Sequence, residues 1–151
     1  MKKFKIFLIV FVLLFFTGCG SNVKEVHNLD NFKNVVAEKE LVVSDNMVNY
    51  TADYIKEAMV GIYDDLSIEM VIYDNDDNAS NVQDSQIKSF MNMKSTNSVI
   101  NKEKGKNYYK VTMITNGYYL VSSRIENTLI FTKTLLKNKD TVDYILDKLN
   151  Y

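Results

Sequence analysis

The chain has 151 residues, with 18 Lys and Arg against 19 Asp and Glu and a formal net charge of -1. It carries 1 His, 1 Cys, no Trp and no Pro. That length allows one domain, one His and one Cys exclude a His/Cys zinc site, and the near-neutral charge excludes a nucleic-acid binder built on phosphate neutralisation.

Lys2, Lys3 and Lys5 make a positive start, and Ile6 to Phe16 is an unbroken apolar run. This is the layout of a secretory signal peptide. The run is shorter than the about 20 residues of a membrane-spanning helix. A core helix would carry a polar stripe, and this run has none. It ends in Phe16-Thr17-Gly18-Cys19, which resembles a bacterial lipobox. The resemblance implies a diacylglyceryl group on Cys19 and cleavage just before it. A plain secreted protein and an uncleaved N-terminal anchor are the alternatives. The expected division is a signal peptide over 1–18, a lipidated Cys with its tether over 19–28, and one domain over 29–151.

Two or more acyl chains on one residue hold a protein stably on a bilayer. The odd Cys is thereby accounted for without a disulfide. Removing the signal peptide takes away three bases and no acids, so the mature charge is 15 minus 19, or -4. With no Cys left for bridges, the core alone stabilises the domain.

Gly20 to Asn28 is polar and aperiodic and reads as the tether, with His27 on it. Leu29, Phe32, Val35 and Val36 share a helix face, which Asn28 or Asp30 can cap. Leu41-Val42-Val43 is a candidate strand, and a short helix is expected around 51–56. Ala58 to Tyr63 and Leu66 to Tyr73 read as a hairpin turning at Asp64-Asp65. After Asp74-Asn75-Asp76-Asp77-Asn78, a helix is predicted from about Ala79 to Met93. Lys94 to Asn107 reads as an exposed loop.

Tyr108 to Thr115, Tyr118 to Ile125 and Thr128 to Thr134 read as a three-stranded antiparallel meander. Asn116-Gly117 between the first two is a strong hairpin signal, because both residues tolerate positive φ. Two-residue turns then pair Met113 with Leu120, Val111 with Ser122 and Tyr109 with Arg124. Ile114, Tyr119, Val121, Ile125 and Ile130 fall on the opposite face. Neither face is wholly polar, so both are expected to be covered in part. Val142, Ile145, Leu146 and Leu149 give a last helix from about Asp140. The expected fold is α+β, an antiparallel β-sheet of hairpin plus three-stranded meander with helices packed on it. Two helix layers around one sheet is the alternative.

DDLSIEMVIYDNDDNA (64–79) and NGYYLVSSRIENTLIF (116–131), with the Leu149-Asn150-Tyr151 end, resemble a group of small lipoproteins of low-GC Gram-positive bacteria. The resemblance covers most of the mature chain. It implies location and fold, and no chemistry. In element order alone the chain is also similar to the PsbP/Mog1-like sandwich, an analogy of fold that carries no residues.

Four constellations bear on function. Asp74, Asp76 and Asn78 match the first three ligand positions of an EF-hand loop. The match fails at Ala79, where Gly is required, and at Ser85, where Glu is required. The alternative is a helix cap. Residues 94–107 hold four Lys and one Glu, and such a loop on a lipid-anchored domain could touch anionic head groups or wall polymers; a solvated loop is the alternative. Arg124 is the single Arg, placed mid-strand, and its fork suits a carboxylate or phosphate ligand. The alternative is an ion pair with a sheet acid such as Glu69, stacked on Tyr109. Tyr108, Tyr109, Tyr118 and Tyr119 are read as a cluster at the first meander turn, able to form a binding surface or simply to pack.

No nucleophile elbow, P-loop, dinucleotide fingerprint or zinc-protease motif is present. No enzyme activity and no cofactor are indicated, although a carboxylate hydrolase needs no motif. The sequence points to an extracytoplasmic, membrane-anchored lipoprotein with a non-catalytic binding domain. Its expected partner is a protein or envelope component at Tyr109, Tyr118 and Tyr119, and not nucleic acid. An accessory or sensor subunit holding a small anion near Arg124 is the alternative.

Overall fold

The structure, a computed structural model, describes residues 23–151. The signal segment, the lipobox and Cys19 lie outside the described residues. No helix among the described residues is long and apolar enough to cross a membrane.

The first helix, α1 (Leu29–Ala37), starts at Asn28, whose side chain accepts the Asn31 N–H at 2.9 Å. It buries Leu29, Phe32 and Val36. Strands β1 (Val42–Asp45), β2 (Ile55–Tyr63) and β3 (Leu66–Tyr73) follow, then α2 (Asp76–Asn92). The chain then adds β4 (Val99–Lys104), β5 (Tyr108–Thr115), β6 (Tyr118–Ile125) and β7 (Thr128–Leu135), and ends with α3 (Lys139–Lys148).

The seven strands form one sheet in the order β1-β2-β3-β7-β6-β5-β4, with every neighbouring pair antiparallel. The join between the hairpin and the meander is β3 against β7, with Met70 opposite Ile130 and Val71 opposite Leu129. Alternation then sorts the side chains. Ile68, Met70, Val121, Ile125 and Ile130 meet α1 and α3 on one face. Val71, Tyr73 and Leu129 meet Ala79 of α2 on the other, and Met113 and Leu120 meet Phe90 further along the same helix. The fold is α+β, in the arrangement of two helix layers around one sheet. Gly61 allows α1 this close: a Cβ there would lie 3.2 Å from Leu41 and 3.4 Å from Val36.

The meander has the register expected of two-residue turns, including Met113 opposite Leu120 and Tyr109 opposite Arg124. Asn116 (φ 50°) and Gly117 (φ 79°) both adopt positive φ.

Three local expectations need correction. The segment 94–107 is not all loop, because Val99–Lys104 forms the edge strand β4 against β5. Four of its six side chains are polar and five are exposed, which hides a strand from any reading of apolar alternation while suiting an unpaired edge. No helix forms at 51–56. A turn with the Ile55 N–H on the Ala52 carbonyl feeds directly into β2, and the short helical turn is Met47–Asn49 instead. Buried Ile55 and Ala58 favour the sheet there, with a register shift between Ile55 and Glu57.

Finally, residues 23–28 lie against the domain. The Lys24 main chain brackets the Asn107 amide, donating its N–H at 3.0 Å and accepting at 2.8 Å. Its ammonium stands 3.6 Å from Glu103 and 4.5 Å from the centre of the Tyr108 ring. Val26 packs on the core that α1 and α3 cover.

Candidate binding site

Helix α3 turns Val142, Ile145 and Leu146 into the core. At the spacing of four, Lys139, Asp143 and Asp147 share a flank of the helix. That flank faces strands β4, β5 and β6. Between them is a cavity of about 330 Å³, lined among others by Asn101, Lys110, Thr112, Tyr119, Asp143 and Asp147. Alternation along β5 puts Lys110, Thr112 and Ile114 on this same face. Glu103 lies opposite Lys110 across the β4–β5 ladder.

One wall is internally satisfied. Tyr119 donates its hydroxyl to Asp143 Oδ1 at 2.6 Å, and Lys139 donates to Asp143 Oδ2. Burial, reinforced by Asp143, pushes the Tyr119 phenol above its ordinary range. It stays protonated at neutral pH, with its one proton committed to Asp143.

The other groups are less committed. Lys110 donates to the Tyr151 main-chain oxygen at 3.0 Å and to no Asp or Glu side chain among the described residues. Burial holds its ammonium below the ordinary lysine range, and the nearby Lys24 adds to this. Asp147, exposed on the helix flank, lacks an ion pair among the described residues. A half-buried cation and an open carboxylate therefore face one cavity from opposite walls. The arrangement can hold a small charged molecule by hydrogen bonds and charge.

The residues singled out from the sequence do not form one site. Tyr118 and Tyr119 point to opposite faces of the sheet: Tyr118 is exposed, and Tyr119 is buried beneath α3. Tyr108 and Tyr109 are not at the Asn116-Gly117 turn. They pair with Ile125 and Arg124 at the far end of the hairpin, about 20 Å away. Only Tyr119 joins the cavity.

Arg124 lies under α2, and Glu69 is not its partner. Its Nε donates to Gln83 Oε1 at 3.2 Å and its Nη1 to the Glu126 carbonyl at 3.0 Å. Glu69 instead accepts from Tyr50 at 2.7 Å and from Asn46.

At the start of α2, the residue that caps the helix is Asn75, which accepts the Asn78 N–H at 2.9 Å. Asp74 accepts from the Asn78 amide at 2.8 Å, and Asp76 lies in the first turn. Among the described residues no three His, Cys, Asp or Glu side chains are grouped to hold a metal.

Lys110, Asp143 and Asp147 were not foreseen. Lys110 gave one sequence signal, a lone cation within the otherwise uncharged strand YYKVTMIT. The two aspartates read only as the outer side of an amphipathic helix, since their position over the sheet edge depends on the tertiary fold.

No protein-family model matches the chain, and no curated protein matches it. A solved structure described as a GTP binding regulator from Thermotoga maritima aligns over 82% of this chain and 87% of that one. Its identity to this chain is 14% and the TM-score is 0.45. That likeness carries no functional inference for this chain.

Proposed function

We propose that the protein is a lipid-anchored lipoprotein of the outer face of the cell membrane, and that its domain binds a small charged ligand without transforming it. The observation that supports binding is the cavity beneath α3, where Lys110 and Asp147 present opposite charges across about 330 Å³. That volume lies in the range of small-molecule sites. A ligand carrying both a carboxylate and an ammonium group, such as an amino acid or a short peptide, complements both walls.

A thermal-shift screen of free amino acids and short peptides tests the site. The wild-type chain should show a dose-dependent rise in Tm with at least one of them. Lys110→Met and Asp147→Asn should fold and lose the rise. If no such compound shifts the wild type, or if both variants respond as it does, this site assignment is wrong.

The location rests on the apolar run and on Cys19. Cys19→Ser should move the protein from the membrane fraction and abolish incorporation of labelled fatty acid. A variant that remains acylated and membrane-bound would overturn the anchor.

A further inference from the structure

We propose that the β4–β5 hairpin is a membrane-docking surface, with Lys102, Lys104 and Lys106 lying on the anionic head groups of the bilayer that holds the lipid anchor. The inference rests on the lipid anchor proposed at Cys19 and adds an orientation to it.

The first argument is reach. Lys24 is pinned to the domain by both main-chain bonds to Asn107. Lys24 is five residue steps from Cys19, which fully extended span at most about 18 Å. Six gaps between neighbouring strands put β1 about 29 Å from β4. The Asn116-Gly117 turn is about 20 Å from the β4–β5 tip along the strands. The anchor therefore brings the β4–β5 end of the sheet to the bilayer, and not the Asn116-Gly117 end or the β1 edge.

The second argument is charge. Lys102, Lys104 and Lys106 are all exposed. Lys102 and Lys104 project from one face of the edge strand, and Lys106 sits in the turn that follows. The acid among them, Glu103, faces the other way and is paired with Lys24 at 3.6 Å. The corner thus keeps a surplus of positive charge where the chain meets its anchor. Each such lysine near an anionic surface adds attraction that decays within a Debye length, about 8 Å at physiological ionic strength.

The acids at the same end of the sheet are placed apart. Asp74, Asp76 and Asp77 lie beside Asn127, at the β3–β7 join. That join is three to four strands from β4, or roughly 15–19 Å. Glu126 is nearer and accepts from the Asn107 amide at 3.0 Å. The domain that touches with its lysine edge therefore lifts its acidic turn out of the interfacial field. The short tether raises the local concentration of the corner at the surface, and the lysines select which side of it touches. Docked in this way, the cavity beside Asn101 and Glu103 opens next to the head groups.

The test uses the full lipidated protein, reconstituted in neutral phosphatidylcholine vesicles and in vesicles with about 30 mol % phosphatidylglycerol. A fluorophore is placed at Lys106→Cys, or at Leu136→Cys beside the opposite turn, and a quencher is attached to the lipid head groups. Quenching at position 106 and its absence at 136 are expected on anionic vesicles. Charge reversal at Lys102 and Lys104, or about 0.5 M salt, should remove the difference between the two positions. Retention on neutral vesicles after an alkaline wash reports the lipid alone. A protein that washes off sinks the anchor, and the orientation with it. A protein that is retained but quenched equally at 106 and 136 on anionic vesicles overturns the orientation and leaves the anchor intact. Unequal quenching that charge reversal does not alter overturns the role of the lysines. Loss of the difference on adding a soluble glycerol-phosphate polymer, with none regained on washing, would assign the lysines to wall polymer and overturn the lipid contact.

Discussion

Gln83 is the residue that ties α2 to the sheet. It is 1% exposed, and its amide is fully used. Nε2 donates to the Tyr109 carbonyl at 2.7 Å and to the Ser122 carbonyl at 3.3 Å, while Oε1 accepts from Arg124 Nε. The Ser122 hydroxyl in turn donates to Gln86 one helical turn on, at 2.8 Å. A glutamine in this position lets a half-buried guanidinium lie under a helix without a carboxylate beside it. Removing either partner leaves buried polar atoms without bonds, which costs about 1–3 kcal/mol. Gln83→Leu and Arg124→Leu should each lower stability by that amount in urea titrations. The double variant should lose less than the sum, by about 1 kcal/mol, because the pair shares one interaction. Additive losses would show that the two side chains act independently. Arg124 was conspicuous in the sequence as the lone arginine, whereas its partner was one polar residue on a helix with a loose apolar face. Identity was legible there, and partnership was not.

At the level of elements, legibility followed the strength of local patterning. The register of the meander was readable because both of its turns are two residues long, and only the end of β7 ran one residue past the expected Thr134. Asn116-Gly117 fixes the first turn through backbone conformation, and alternation fixes which face each side chain takes. Helices α1 and α3 were equally plain, since each must bury one stripe. Strand β4 was hidden for the converse reason. Its sequence VINKEK turns only Ile100 onto the core, and it is a strand because β5 offers it a ladder of partners. An edge strand of this kind is specified by its neighbour, and its lysines discourage further pairing. The candidate cavity inherits that obscurity. Its walls are strands β4, β5 and β6 and the flank of α3, which only the tertiary fold brings together. The expected tyrosine surface failed on the same ground. Four tyrosines near in sequence were divided by hairpin length and by the alternation of faces.

The whole molecule is held by pairings distant in sequence, and several of them end in tyrosine. Tyr73 and Tyr151 are almost wholly buried, and Tyr119 nearly so. The Tyr151 hydroxyl meets Thr128 in the core, where the chain end folds back on the last strand. Burial pushes the phenols of Tyr73, Tyr119 and Tyr151 above the ordinary value of 10.0, and that of Tyr50 likewise, with Glu69 adding to the last. Above that value the unfolded chain releases phenolic protons that the fold retains. The folded state then binds more protons, so stability falls as pH rises. Each fully shielded tyrosine contributes at most about 1.4 kcal/mol per pH unit, and solvent screening reduces this at the half-buried ones. Lys110 works in the opposite sense. Its folded value lies below 10.5, so stability rises with pH between those two values. Lys110 alone opposes these four tyrosines, and Tyr108, Tyr144, Lys137 and Lys139, whose values are also raised, act with them. The net expectation is a fold that weakens above about pH 10. Urea midpoints should therefore be level from about pH 7 to 9 and fall steeply towards pH 11. Tyr151→Phe loses its bond to Thr128 and should be weaker at neutral pH, yet its midpoint should fall less steeply with alkali, because one retained proton is gone. A Tyr151→Phe midpoint that falls in parallel with wild type would show that this buried phenol does not supply the alkaline instability.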